Sequence, residues 1–189
     1  MKIAPLIDKL AAKLPKNLRG PVLEHLTALR ELLEGELDAA RKSPDKDAKL
    51  AVTKKIVTTC SAVCTAVGVE PIPLADFPIL TSLQVLMIAS IMHVSGREIT
   101  RKAIAEFLGA LGMNIGAGLV LREGARAATK LLPGFGSAIS GAIAGGATYT
   151  LGRAATAYFI EGASLPEVRK FFRKSGRRGA KLPPPPPEK

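Results

Sequence analysis

Seven cations fall between Arg169 and Lys181 with no acid among them: Arg169, Lys170, Arg173, Lys174, Arg177, Arg178 and Lys181. A cluster of this kind attracts an anionic lipid surface, nucleic acid or an acidic protein partner. Few other residues have types and spacing that suggest chemistry. Cys60 and Cys64 share one helix face with no histidine near them in sequence, so they read as small buried hydrophobes rather than metal ligands or a redox pair. His25 stands among charges, and His93 ends an apolar stretch where packing or snorkelling suits it better than base catalysis. Asp76 is explained as a helix N-cap. Gly134-Phe135-Gly136 opens a helix with no strand before it, which makes it a hinge rather than a phosphate cradle. There is no G-x-x-x-x-G-K-[ST] motif, no carboxylate pair and no Ser/His/acid set. The sequence nominates no catalytic residue, no cofactor site and no metal site, and the expected function is non-enzymatic.

The charge is unevenly placed. The chain has 189 residues and a formal net charge of +11, from 27 Lys and Arg against 16 Asp and Glu. Residues 1–50 carry +2, residues 51–96 carry zero, and residues 97–189 carry +9. At 47% hydrophobic, the composition excludes a disordered chain. Two cysteines exclude a disulfide scaffold. The cations have few aromatics interleaved with them, apart from Phe171 and Phe172, so single-strand nucleic-acid binding is disfavoured. Asp8, Lys9, Lys13 and Lys16 interrupt any apolar core behind Lys2, so the N-terminus does not read as a secretory signal, and the bulk of the chain is expected to face the cytoplasm.

The elements that hold these residues all read as helix. Residues 1–43 form an amphipathic N-terminal part, in which Val22, Leu26, Leu29, Leu33 and Leu37 make a narrow apolar stripe suited to packing on a neighbour or on a second copy. A Gly/Ala-rich helical core spans 44–163. Ser43 is expected to cap its first helix, Gly68 to close it, and a later helix to run from Ile99 to about Leu121. Residues 164–189 form a basic helix capped by Ser164, followed by five prolines from Pro183 to Pro187, which adopt polyproline II. No strand alternation stands out. The fold class is all-α, a multi-helix bundle.

Two stretches reach the length of a bilayer core: Phe77 to Gly96, with 20 uncharged residues, and Leu131 to Gly152, with 22. Neither is apolar enough to insert convincingly alone. Gly109, Gly112 and Gly116, and separately Gly141 and Gly145, are spaced to let helix backbones approach closely. A tight hairpin dipping into a bilayer is the leading expectation, with Phe77, Leu80, Leu83, Leu86, Ile88, Phe135, Ile139 and Ile143 as the lipid-contacting side chains. The cationic end would then bind anionic headgroups on the cytoplasmic side of the inner membrane, peripherally or with the hairpin inserted. The alternative is a soluble helical interaction bundle that self-associates or binds an acidic partner.

Three ordered segments carry a family resemblance: Pro71 to Ile88, Leu-Leu-Pro-Gly-Phe-Gly-Ser at 131–137, and Ala-Thr-Tyr-Thr-Leu-Gly-Arg-Ala-Ala-Thr-Ala-Tyr-Phe at 147–159. Over about residues 50–162 the chain resembles the YcjF-like bacterial helical family of unknown function. Leu74 departs from the pattern, standing where glycine is expected. The resemblance implies a membrane-associated module that is accessory or effector to a small GTPase. Residues 1–50 are too short to be a GTPase and lack its motifs, so the GTPase would be a separate chain. The family offers no catalytic residues to carry over.

Overall fold

A computed structural model describes residues 35–69, 77–112 and 136–177, together with residues 12, 27 and 29–31. The described residues are helical. The elements are α1 (Leu37–Lys42), α2 (Lys46–Val69), α3 (Phe77–Val94), α4 (Arg101–Ala110), α5 (Gly136–Thr156), a π-helical turn (Ala157–Glu161) and α6 (Leu165–Arg177). No strand occurs among them.

Local sequence explains where the helices start and stop. Asp45, rather than Ser43, caps α2: its carboxylate accepts from the N–H groups of Asp47 at 2.9 Å and Ala48 at 3.3 Å, while the Ser43 hydroxyl accepts from the Asp45 N–H. Two carboxylate oxygens can satisfy two orphan amides, which a single hydroxyl does less well. Thr100 caps α4 through the Ala103 N–H, at 3.0 Å. α4 then ends at Ala110, short of the expected Leu121, because Gly112 adopts φ +80°, a left-handed conformation open to glycine. Gly162, at φ +82°, likewise ends the π-helical turn.

The core is a three-helix shaft. α2 runs antiparallel to α5 and packs on it more extensively than any other pair of elements. Glycine makes this approach possible. A Cβ at Gly68 would lie 2.8 Å from the Ala144 methyl and 3.0 Å from the Gly141 backbone. At Gly145 a Cβ would fall on the Thr65 hydroxyl, and at Gly152 it would meet Val57. Gly68, expected to close α2, is therefore a buried packing residue one position inside its end. α3 fills the remaining side, with Leu83, Met87, Ile88 and Ile91 fully buried. Leu29, Leu37 and Ala40 cover it from the N-terminal part.

Hydroxyl groups in the shaft hide against their own helices. Thr53, Ser61, Thr65, Ser90, Thr148 and Thr156 each donate to the carbonyl four residues back, at 2.7–3.0 Å. The Gln84 amide donates to the Thr148 hydroxyl at 3.1 Å and ties α3 to α5. These bonds satisfy the hydroxyls they involve inside an apolar shaft, whereas the buried Ser140 hydroxyl of α5 has no hydrogen-bond partner among the described residues.

Candidate functional site

Four of the eight residues expected to meet lipid are buried inside the bundle. Leu80, Leu83, Leu86 and Ile88 are at most 4% exposed, enclosed by α2, α5 and the N-terminal residues. In this fold protein surrounds them, where the expectation placed them against lipid. The cause is α3's position: an uncharged helix in the centre of a bundle needs no polar face. Ile143 is half-buried, and Ile139 is 43% exposed, so of these eight residues Ile139 presents a large surface. Phe135 and the side chain of Phe77 lie outside the described residues. Among the described residues, α2 is the helix long and apolar enough to cross a membrane, and much of it is buried inside the bundle. The α3 stretch, Ile79–Val94, is shorter.

The two glycine sets also part ways. Gly141 and Gly145 pack on α2 as their spacing suggests. Gly109 and Gly112 are exposed and, among the described residues, have nothing within 4 Å of an added Cβ, so they bring no described helix close. Gly116 lies outside the described residues. Spacing alone does not distinguish a buried helix face from an exposed one.

Cys60 and Cys64 are fully buried in the shaft, where burial and the neighbouring Cys64 push the Cys60 thiol well above its usual range. A neutral thiol packed in this way is a hydrophobe. His93 is placed on a different role. Its Nε2 lies 2.7 Å from the Asp38 carboxylate and its Nδ1 lies 3.4 Å from the Arg41 guanidinium, so it bridges α1 to α3. His93 holds the Asp38 carboxyl below its usual range. Nothing local in the chain points to this bridge, because its partners are more than 50 residues away.

The chemistry that remains exposed is on α6. Ser164 caps the helix together with Glu167: the Glu167 carboxylate accepts from the Ser164 N–H at 2.9 Å and from its hydroxyl at 2.7 Å. These bonds hold the Glu167 carboxyl below its usual range. Val168 is 2% exposed and anchors the inner face, with Leu165 and Phe172 half-buried beside it. Arg169, Lys170, Arg173 and Lys174 are exposed on the outer side, and Phe171 is 36% exposed next to them. The side chain of Arg177, and Arg178 and Lys181 entirely, lie outside the described residues.

α6 packs on α5 and on the π-helical turn that follows α5. Phe107 of α4 packs on Tyr158 and Phe159, with ring centroids 5.6 and 5.0 Å apart. The Arg97 guanidinium lies over both Tyr158 and Phe159, 5.0 and 5.2 Å from their centres. Glu161 is tied to Arg153 at 3.7 Å, and its carbonyl accepts from Lys46 at 3.4 Å. The extra residue in a π turn shifts register, which lets the adjacent Tyr158 and Phe159 both engage this cluster. These contacts surround the turn that leads into the cationic amphipathic helix. No protein-family model, curated protein or solved structure matches the chain.

Proposed function

We propose that the protein is a non-enzymatic helical module that lies peripherally on anionic membrane, at the cytoplasmic face of the inner membrane, through α6. One observation carries this reading: Arg169, Lys170, Arg173 and Lys174 are exposed beside Phe171 on a helix whose opposite face is anchored by Val168. A basic amphipathic helix with an aromatic at its boundary suits the headgroup layer. The sealed α3 favours surface binding over hairpin insertion. Each cation near an anionic surface contributes about 1 kcal/mol. Neutralising all four to Gln should weaken binding to phosphatidylglycerol-containing vesicles by up to roughly a thousandfold. Unchanged cosedimentation of the quadruple variant would refute the role of α6.

A separate small GTPase is the partner suggested by the resemblance to the YcjF-like family. The second reading is a soluble adaptor, which self-associates or uses the same helix to bind an acidic protein. The buried α3 supports it, since such a bundle needs no lipid to cover its core helix. Failure of the wild-type protein to bind anionic vesicles, with retained binding to an acidic polypeptide, would favour that reading.

A further inference from the structure

An open groove of about 830 Å³ lies between the C-terminal end of α4 and α6. Ala110, Leu165 and Pro166 supply apolar lining, and Arg169, Lys170, Arg173 and Lys174 supply charge. Among the described residues no acid lines it. The acids on these two helices are engaged elsewhere: Glu167 in the cap of α6, and Glu106 with Lys102 at 3.9 Å. We propose that this groove is a binding site for one anionic phospholipid, with the phosphate among the four cations and the glycerol and upper acyl carbons against Ala110, Leu165 and Pro166. This rests on the peripheral-membrane reading and adds to it a discrete, saturable site.

Three features support that occupant. Arg169 with Arg173, and Lys170 with Lys174, form two i,i+4 pairs on adjoining rows, so several donors converge on one face. Arginine presents a planar fork matched to phosphate oxygens, and lysine adds a mobile point charge. The groove is larger than a phosphate needs and falls in the range of small-molecule sites. Apolar lining beside the cations gives a lipid an advantage over a free anion.

The test uses the full chain and a short-chain phosphatidylglycerol below its micelle concentration, titrated by calorimetry, with glycerol phosphate as the headgroup alone. Wild-type protein is also tested on vesicles of phosphatidylcholine with and without phosphatidylglycerol. The expected result is saturable binding of about one lipid per chain, at least tenfold weaker for glycerol phosphate, and at least tenfold weaker in Ala110→Trp, which fills the groove without changing charge. Leu165→Gln is the second variant, should Ala110→Trp fail to fold by circular dichroism, with the same weakening expected. Vesicle binding without saturable lipid binding overturns the groove and leaves the surface reading standing. Lipid binding untouched by a folded groove variant overturns it as well. Equal affinity for glycerol phosphate overturns the lipid assignment in favour of a free phosphate compound, and displacement of the lipid by oligonucleotide at lower concentration overturns it in favour of nucleic acid. Absence of vesicle binding overturns the reading on which the site rests.

Discussion

The shaft and the cationic end solve opposite problems with the same helical backbone. In the shaft, α2 beyond Lys55, α3, and α5 up to Gly152 carry no Asp, Glu, Lys or Arg, and glycines bring α2 and α5 into backbone contact. Most of its large side chains are used up in packing, with Val69 and Ile139 left exposed at one end. At the other end, aromatic rings and Arg97 fix the π-helical turn, and the cations of α6 are left outward. An uncharged run in this chain is largely interior, whereas exposed charge and an exposed aromatic adjoin on α6.

Substitutions at glycine probe this contrast most strongly. Gly145→Leu drives a branched side chain into the Thr65 hydroxyl and the Ser61 carbonyl. It should cost about 3 kcal/mol or more, or prevent folding, as read from urea unfolding. Gly68→Ala meets the Ala144 methyl and the backbone of Gly141 and should cost about 1–3 kcal/mol. Gly109→Ala should act in the other direction. It faces open space within α4 and should add about 0.5–1 kcal/mol. If Gly68→Ala and Gly109→Ala shifted the unfolding midpoint the same way, the division into packed shaft and open end would be wrong.

The smallest effect concerns acid. Glu167 is held below its ordinary value of 4.5 by Ser164. A carboxyl with a depressed folded value stabilises above the unfolded one, and the contribution is lost as pH falls through the folded value. The helical signal of α6 should therefore weaken on acidification below pH 4.5. In Ser164→Ala, carboxyl NMR should show Glu167 titrating higher, back toward that ordinary value. An unmoved titration would mean that the cap is not what holds it.

The all-α class was legible because apolar residues recur at helical spacing with Gly, Pro and capping residues between the runs. Gly141 and Gly145 were legible as packing positions. Gly109 and Gly112 carry the same spacing, yet among the described residues no helix lies opposite them, and nothing local encodes that difference. Leu83 and Ile88 illustrate a second ambiguity: a helix apolar on all sides is equally suited to lipid and to a protein interior. Only the tertiary arrangement of α2 and α5 decides it. The bridge from His93 to Asp38, and the cluster formed by Phe107, Tyr158, Phe159 and Arg97, depend on contacts distant in sequence and were invisible for that reason. The cationic face of α6 was the clearest signal, since charge clustering survives in one dimension.

On the peripheral-membrane proposal, the chain meets lipid through its cationic end and the shaft remains closed. Its most direct test is recovery of the wild-type protein on phosphatidylglycerol-containing vesicles, followed by a wash in high salt. Binding at low salt with release at high salt is the predicted result, because screening removes exposed charge attraction. Retention through both high salt and alkaline carbonate would contradict it and return the uncharged helices to the bilayer.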